Sequence, residues 1–191
     1  MFAKTAAAVV LGLSFALPAH AGPIVDKATE IEALMAADDA KGAMDAAHAL
    51  MATVWEGGKD IGIHQTVLVT EPAAGFGIYN PRLDEKYKVG EPILIYAEPF
   101  GFSYGSGGDG LYTIGFVVDL KVMTEAGEVL GELPAVANLD LTSRYQNREF
   151  QANLTYTLDG IAPGQYILET TLRDKNSEKF GSFQNSIEIV E

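Results

Sequence analysis

In LYTIGFVVDLKVM, residues 111–123, Ile114, Phe116, Val118, Leu120 and Val122 fall at every second position, with Thr113, Gly115, Asp119 and Lys121 between them. A period of two sends the two sets to opposite faces of an extended chain, so the segment reads as a strand with one face on a core. The alternation recurs on both sides of it. Ile61, Ile63, Val67 and Val69 share one face, while Phe150, Ala152, Leu154, Tyr156 and Leu158 alternate with Gln151, Asn153, Thr155, Thr157 and Asp159. PILIYA, residues 92–97, is apolar on both faces and suits a central strand. Runs bounded by Gly, Asn, Asp and Pro predict about eight strands, near 61–70, 75–79, 92–98, 111–124, 128–133, 148–158, 165–173 and 179–190. Strands and turns at this spacing predict a mainly β domain over 57–191, an antiparallel β-sandwich. A membrane barrel is disfavoured, because the final NSIEIVE does not end on an aromatic and no aromatic girdle is evident.

Upstream the period changes to that of a helix. Over 24–55, Ala28, Ile31, Leu34 and Met35, then Met44, Ala47, Leu50, Met51, Val54 and Trp55, recur at three- and four-residue spacing. Between the two runs, Asp38 or Asp39 can cap a second helix and Gly42 can relax the backbone. Residues 22–56 are therefore expected to form a short helical segment, one helical hairpin or a kinked helix, with EGGKD, 56–60, as the linker. Residues 1–21 carry Lys4, an apolar run from Ala6 to Leu17 and the triplet Ala19-His20-Ala21, the pattern of a secretory signal peptide. The expected location is periplasmic or secreted. The chain has no cysteine, so burial alone must hold the domain together in an oxidising compartment. With 26 acidic against 13 basic residues and no basic run, it is an acidic protein, and the expectation is no nucleic acid partner. No later segment is apolar for long enough to read as a transmembrane helix.

LDGIAPGQYILETTLRD, residues 158–174, resembles the stretch before and along the penultimate strand of fibronectin type III and other immunoglobulin-like domains. The resemblance implies a tyrosine corner made by Leu158, Pro163 and Tyr166, with the phenol bonded to a backbone group a few residues upstream. DKNSEKFGSFQNSIEIV, residues 174–190, resembles the closing hairpin of bacterial immunoglobulin-like modules. Together these imply an immunoglobulin-like sandwich, and they imply no activity.

For chemistry, the sequence offers scattered candidates. His48 and His64 follow the leader, with no G-x-S-x-G for a nucleophile and no ligand spacing for zinc, so both read as structural or surface residues. A carboxylate dyad would need tuned acids, and Asp119, Glu98 and Asp109 are only acids that the fold could bring to one end. No cofactor is expected, calcium being the one metal the acidic loops suit, with Glu98 and Asp109 as its candidate ligands. In EPFGFSYGSGGDGLYTIGF, residues 98–116, the glycines lack the spacing of a phosphate loop, and the segment reads as a β-hairpin with its tip at Gly105–Gly110. Tyr104, Asp109 and Tyr112 at that tip are ligand-binding candidates. So are Arg144 and Arg148 in SRYQNREF, whose forked donors suit an anion, against the plainer reading of local ion pairs. The function expected from these residues is an exported, non-enzymatic binding module for an envelope protein or glycan. The alternatives are a calcium-dependent or carbohydrate-binding module, and a hydrolase of envelope polymers.

Overall fold

The computed structural model describes residues 22–191, and the signal peptide read from 1–21 lies outside the described residues. The chain divides into two compact units, one ending at Leu50 and one spanning Met51–Glu191.

The first unit holds α1 (Pro23–Ala36) and most of α2 (Ala40–Gly57). Proline at the first turn of α1 gives up an N–H that would lack a partner anyway, and Asp26 there complements the helix dipole. Asp38, at φ 57, turns the chain. Of the two expected caps it is Asp39 that acts, its Oδ1 accepting from the Gly42 N–H at 2.9 Å. A side chain at position 42 would collide with that carboxylate, so glycine there keeps the cap in place. Among the described residues no helix is long and apolar enough to cross a membrane.

The second unit is mainly β. Its strands are β1 (Gly62–Leu68), β2 (Lys86–Lys88), β3 (Ile93–Phe100), β4 (Gly105–Ser106), β5 (Tyr112–Thr124), β6 (Val129–Ser143), β7 (Ala152–Tyr156), β8 (Gly164–Asp174) and β9 (Phe180–Val190). One sheet runs β1-β3-β7, and the other runs β2-β9-β8-β5-β4 with β6 on β5. All pairings are antiparallel except β2 with β9. The sheets curl into a half-barrel rather than lying as two clearly stacked immunoglobulin layers. Where β1 begins, the Ile61 N–H donates to the Phe180 carbonyl at 3.0 Å, and Gly181 admits the Ile61 backbone where any Cβ would strike it.

Two expected strands need correction. Residues 75–79 alternate like a strand, yet they form a tight turn in which Ile78 N–H bonds Gly75 O at 3.0 Å and Gly77 takes φ 70. The strand placed at 128–133 runs on to Ser143, because Pro134 marks a bulge and not an end. β2 and β4 are too short to show a period, and neither was expected.

The core forms where alternating faces meet. Ile114, Phe116, Val118 and Leu120 of β5 pack with Ile93, Ile95 and Ala97 of β3 and Leu168 and Leu172 of β8. Phe102, Phe116 and Phe150 meet edge to face, with centroids 5.1 to 6.1 Å apart. β3 is covered on its second face too, where Tyr96 packs with Val69 and Ala73. Asn153 ties that cover down, accepting from the Ala73 N–H at 2.9 Å and donating to its carbonyl at 3.1 Å. Tyr166 donates to the Ala162 carbonyl, four residues upstream, at 2.8 Å.

Candidate functional site

The glycine-rich stretch closes as a hairpin of only two paired residues on one side. Gly107 N–H bonds Leu111 O and Leu111 N–H bonds Gly108 O, which leaves Asp109 exposed at the tip. The stretch is anchored from behind by the β8–β9 turn. The buried Asp174 carboxylate accepts from Ser103 N–H at 2.7 Å, Ser177 Oγ at 2.6 Å and Asn176 N–H at 2.9 Å, and the Asn176 amide donates to Ser103 O and Thr113 O at 3.2 Å. The aromatics of the stretch take different roles. Phe102 and Phe116 are core. Tyr104 is half-buried, donates to Asn147 O at 2.8 Å, and is pushed up to about 12 by burial. Tyr112 lies beside it, with ring centroids 6.4 Å apart.

Phe100 instead turns outward, over Gly62 of the neighbouring strand, where a side chain on the glycine would occupy the position of the ring. It forms one wall of a cavity of about 670 Å³ lined entirely by residues of the second unit. Met51, Val54, Trp55 and Phe76 complete the apolar walls, and Asp60, His64, Glu98 and Arg148 supply polar groups. Trp55 is fixed by its indole N–H, which donates to Phe102 O at 2.7 Å, and by an edge contact with the Phe102 ring at 5.0 Å. Phe76 is held by the 75–78 turn, whose Gly77 N–H donates to the Tyr96 hydroxyl at 2.7 Å.

That hydroxyl passes the connection inward. Two residues on along β3 and on the same face, Glu98 accepts from it through Oε1 at 2.5 Å. Glu98 is 6% exposed, although it sits on the face of β3 turned away from the main core. Tyr96 is pushed up to about 12, first by burial and then by its bond to Glu98, so it stays a donor at any physiological pH. The chain of Gly77 N–H, Tyr96 hydroxyl and Glu98 carboxylate thus presents a buried acid to a cleft with mostly apolar walls.

Of the residues nominated from sequence, Glu98 and Arg148 line this cavity, and Tyr104, Asp109, Tyr112 and Arg144 do not. Arg144 is exposed in the turn after β6. Glu98 is buried and Asp109 is at the exposed tip; among the described residues no group of three or more His, Cys, Asp or Glu side chains is placed to hold a metal. Asp119, the third acid weighed for a dyad, is engaged by Arg173 through Nε at 2.7 Å and Nη2 at 3.0 Å. Sequence reasoning read His64 as a structural or surface residue and Trp55 as part of the α2 stripe, and it passed over Phe76. The available signal was in α2, whose apolar stripe shows in the helical spacing and whose Met51 and Val54 are each 50% exposed.

No family model matches the chain, and no curated protein matches it. A solved structure of Pseudomonas fluorescens alkylpurine DNA glycosylase AlkC, bound to DNA containing an abasic site analog, matches with a TM-score of 0.38 and 14% identity over 79% of this chain. The match spans 39% of that protein. The neighbour is an enzyme on DNA, which runs against three expectations: a non-enzymatic envelope-binding role, the absence of enzymatic activity, and the absence of a nucleic acid partner. None of them is carried further. A likeness at this level carries no argument for glycosylase chemistry or DNA binding in this chain.

Proposed function

We propose that the second unit is a receptor for a small organic molecule with an apolar body and a polar head, held in the cleft between the end of α2, β1, β3 and the 75–78 turn. The carrying observation is the convergence of exposed apolar side chains on one cavity. Met51, Val54, Phe100 and Phe76 are 50, 50, 46 and 38% exposed, and with Trp55 they ring the same 670 Å³. Scattered apolar residues on a surface need no explanation, whereas a contiguous set around a concave site with a few polar groups is the usual form of a ligand pocket. The volume falls within the roughly 300–1,000 Å³ typical of such sites. Lys4, the apolar run and the Ala19-His20-Ala21 triplet support export of this receptor to the periplasm or beyond. The Tyr166 bond to Ala162 O supports reading β8 and its approach as immunoglobulin-like.

Trp55 is the chain's single tryptophan, so its emission reports on the cleft alone. Titration with N-phenyl-1-naphthylamine, an uncharged apolar fluorophore, should give saturable, one-site energy transfer from Trp55. Val54→Arg, which places a long cation in the opening, should abolish the transfer while leaving Tm unchanged. Transfer that never saturates, or that survives Val54→Arg, would remove the receptor reading.

A further inference from the structure

We infer that the head group recognised in this cleft is a cation, that the ligand class is a lipophilic amine or quaternary ammonium compound, and that Glu98 is its counter-charge. The inference rests on the receptor reading above and adds the identity of the head. A carboxylate that is 6% exposed is costly to keep ionised unless something compensates it. The Tyr96 hydroxyl, at 2.5 Å, is as close as an O–H donor comes to an ionised acceptor. It stabilises the charge with a dipole and supplies no positive charge of its own.

The walls favour the same ligand. Trp55, Phe76 and Phe100 place three aromatic rings around the opening, and ring faces attract a cation that has shed part of its water. The lining holds two carboxylates, Asp60 and Glu98, beside one guanidinium, Arg148, and one imidazole, His64, in a chain of formal net charge −13. An ammonium group therefore enters a site that attracts it at long range and at contact, while its alkyl or aryl body covers Met51 and Val54. A carboxylate head would have to share the cleft with both acids.

The test uses three ligands of equal chain length on the intact protein, each below its critical micelle concentration: decyltrimethylammonium, decanol and decanoate. Kd is read from Trp55 emission and by calorimetry. Decyltrimethylammonium should bind about tenfold more tightly than decanol, with decanoate weakest. Glu98→Gln keeps an oxygen for the Tyr96 hydroxyl and should erase the preference for decyltrimethylammonium over decanol. Three equal affinities would overturn the inference, and so would tightest binding by decanoate, which assigns the head to Arg148; in either case the receptor reading stands. Saturable binding by none of the three would overturn the receptor reading as well. The comparison on the unaltered protein decides the matter even if Glu98→Gln does not fold.

Discussion

Asp174 shows how much one buried acid can organise. Its two oxygens accept from two backbone N–H groups and one hydroxyl, all within the turn it begins and the loop that turn supports. The Ser103 N–H it fixes is adjacent to Phe102, whose carbonyl accepts from Trp55, so the bond network reaches the cavity wall in one residue. Truncation would leave buried donors without partners, which costs more than the bonds contribute when made. Asp174→Ala should lower unfolding free energy by about 3 kcal/mol in urea and shift Trp55 emission to the red. A change within about 0.5 kcal/mol, the range of ordinary surface substitutions, would show that the turn stands without it. Glu98 is the contrasting residue. Both acids were in view in the sequence, but nothing in EPFGF or RDKNS says that one carboxylate is saturated by its own turn and the other opens on a cleft. That difference depends on Ser103 and Tyr96 arriving from elsewhere in the fold.

At the scale of elements, β5, β8 and β9 were legible because each alternates a largely buried face with a wetter one through ten or more residues, and the core takes the buried faces directly. The failures have a common physical origin. Phe76 and Ile78 alternate with glycines for five residues, too few to separate a strand from a turn whose side chains splay outward. Pro134 looks like the end of a strand, yet β6 carries its bulge there, with Ala135 at φ 52 and its N–H donated to Asp119 Oδ1 at 2.8 Å. The same carboxylate takes the forked pair from Arg173, so one acid from β5 stitches β6 and β8 to it. Arg173, and after it the Ala135 N–H, holds Asp119 below its ordinary value of 3.8. A depressed folded value means that the stabilisation is complete above the ordinary value and is lost as pH falls through the folded one. Arg173 is 49% exposed, so solvent screening keeps the contribution of the pair small. Asp119→Asn, which retains an acceptor for the bulge, should be less stable than the parent at neutral pH. The gap should still be complete near pH 4 and should narrow as pH falls below the ordinary value of 3.8 toward the depressed folded one. A gap in urea midpoint that persists undiminished to pH 2.5 would mean that the substitution acts on the bulge and not through the charge.

The whole molecule adds what neither residues nor elements contain. The cavity draws on positions from Met51 to Arg148, brought together only once the half-barrel has curled, so no window of sequence could display it. Charge is the opposite case, legible at once, and it sets the last expectation. Ion pairs such as Lys27 with Glu30, Lys41 with Asp45 and Lys175 with Asp140 have at least one well-exposed partner. Pairs of that kind contribute little and weaken in salt. Against them stands the mutual repulsion of a chain with net charge −13, which is longer in range and is relieved by salt. Raising NaCl from 10 mM to 1 M shortens the screening length from about 30 Å to about 3 Å, which suppresses repulsion across the molecule while leaving buried contacts such as Tyr96 with Glu98 nearly untouched. Repulsion should therefore win, and Tm should rise by about 3–5 °C over that range, with most of the rise complete by about 0.2 M. A matched sucrose series separates screening from general exclusion effects, because sucrose stabilises without any early plateau. A Tm that falls with added NaCl would show instead that the surface pairs act as a cooperative network, and that the acidic excess is spread too thinly to strain the fold.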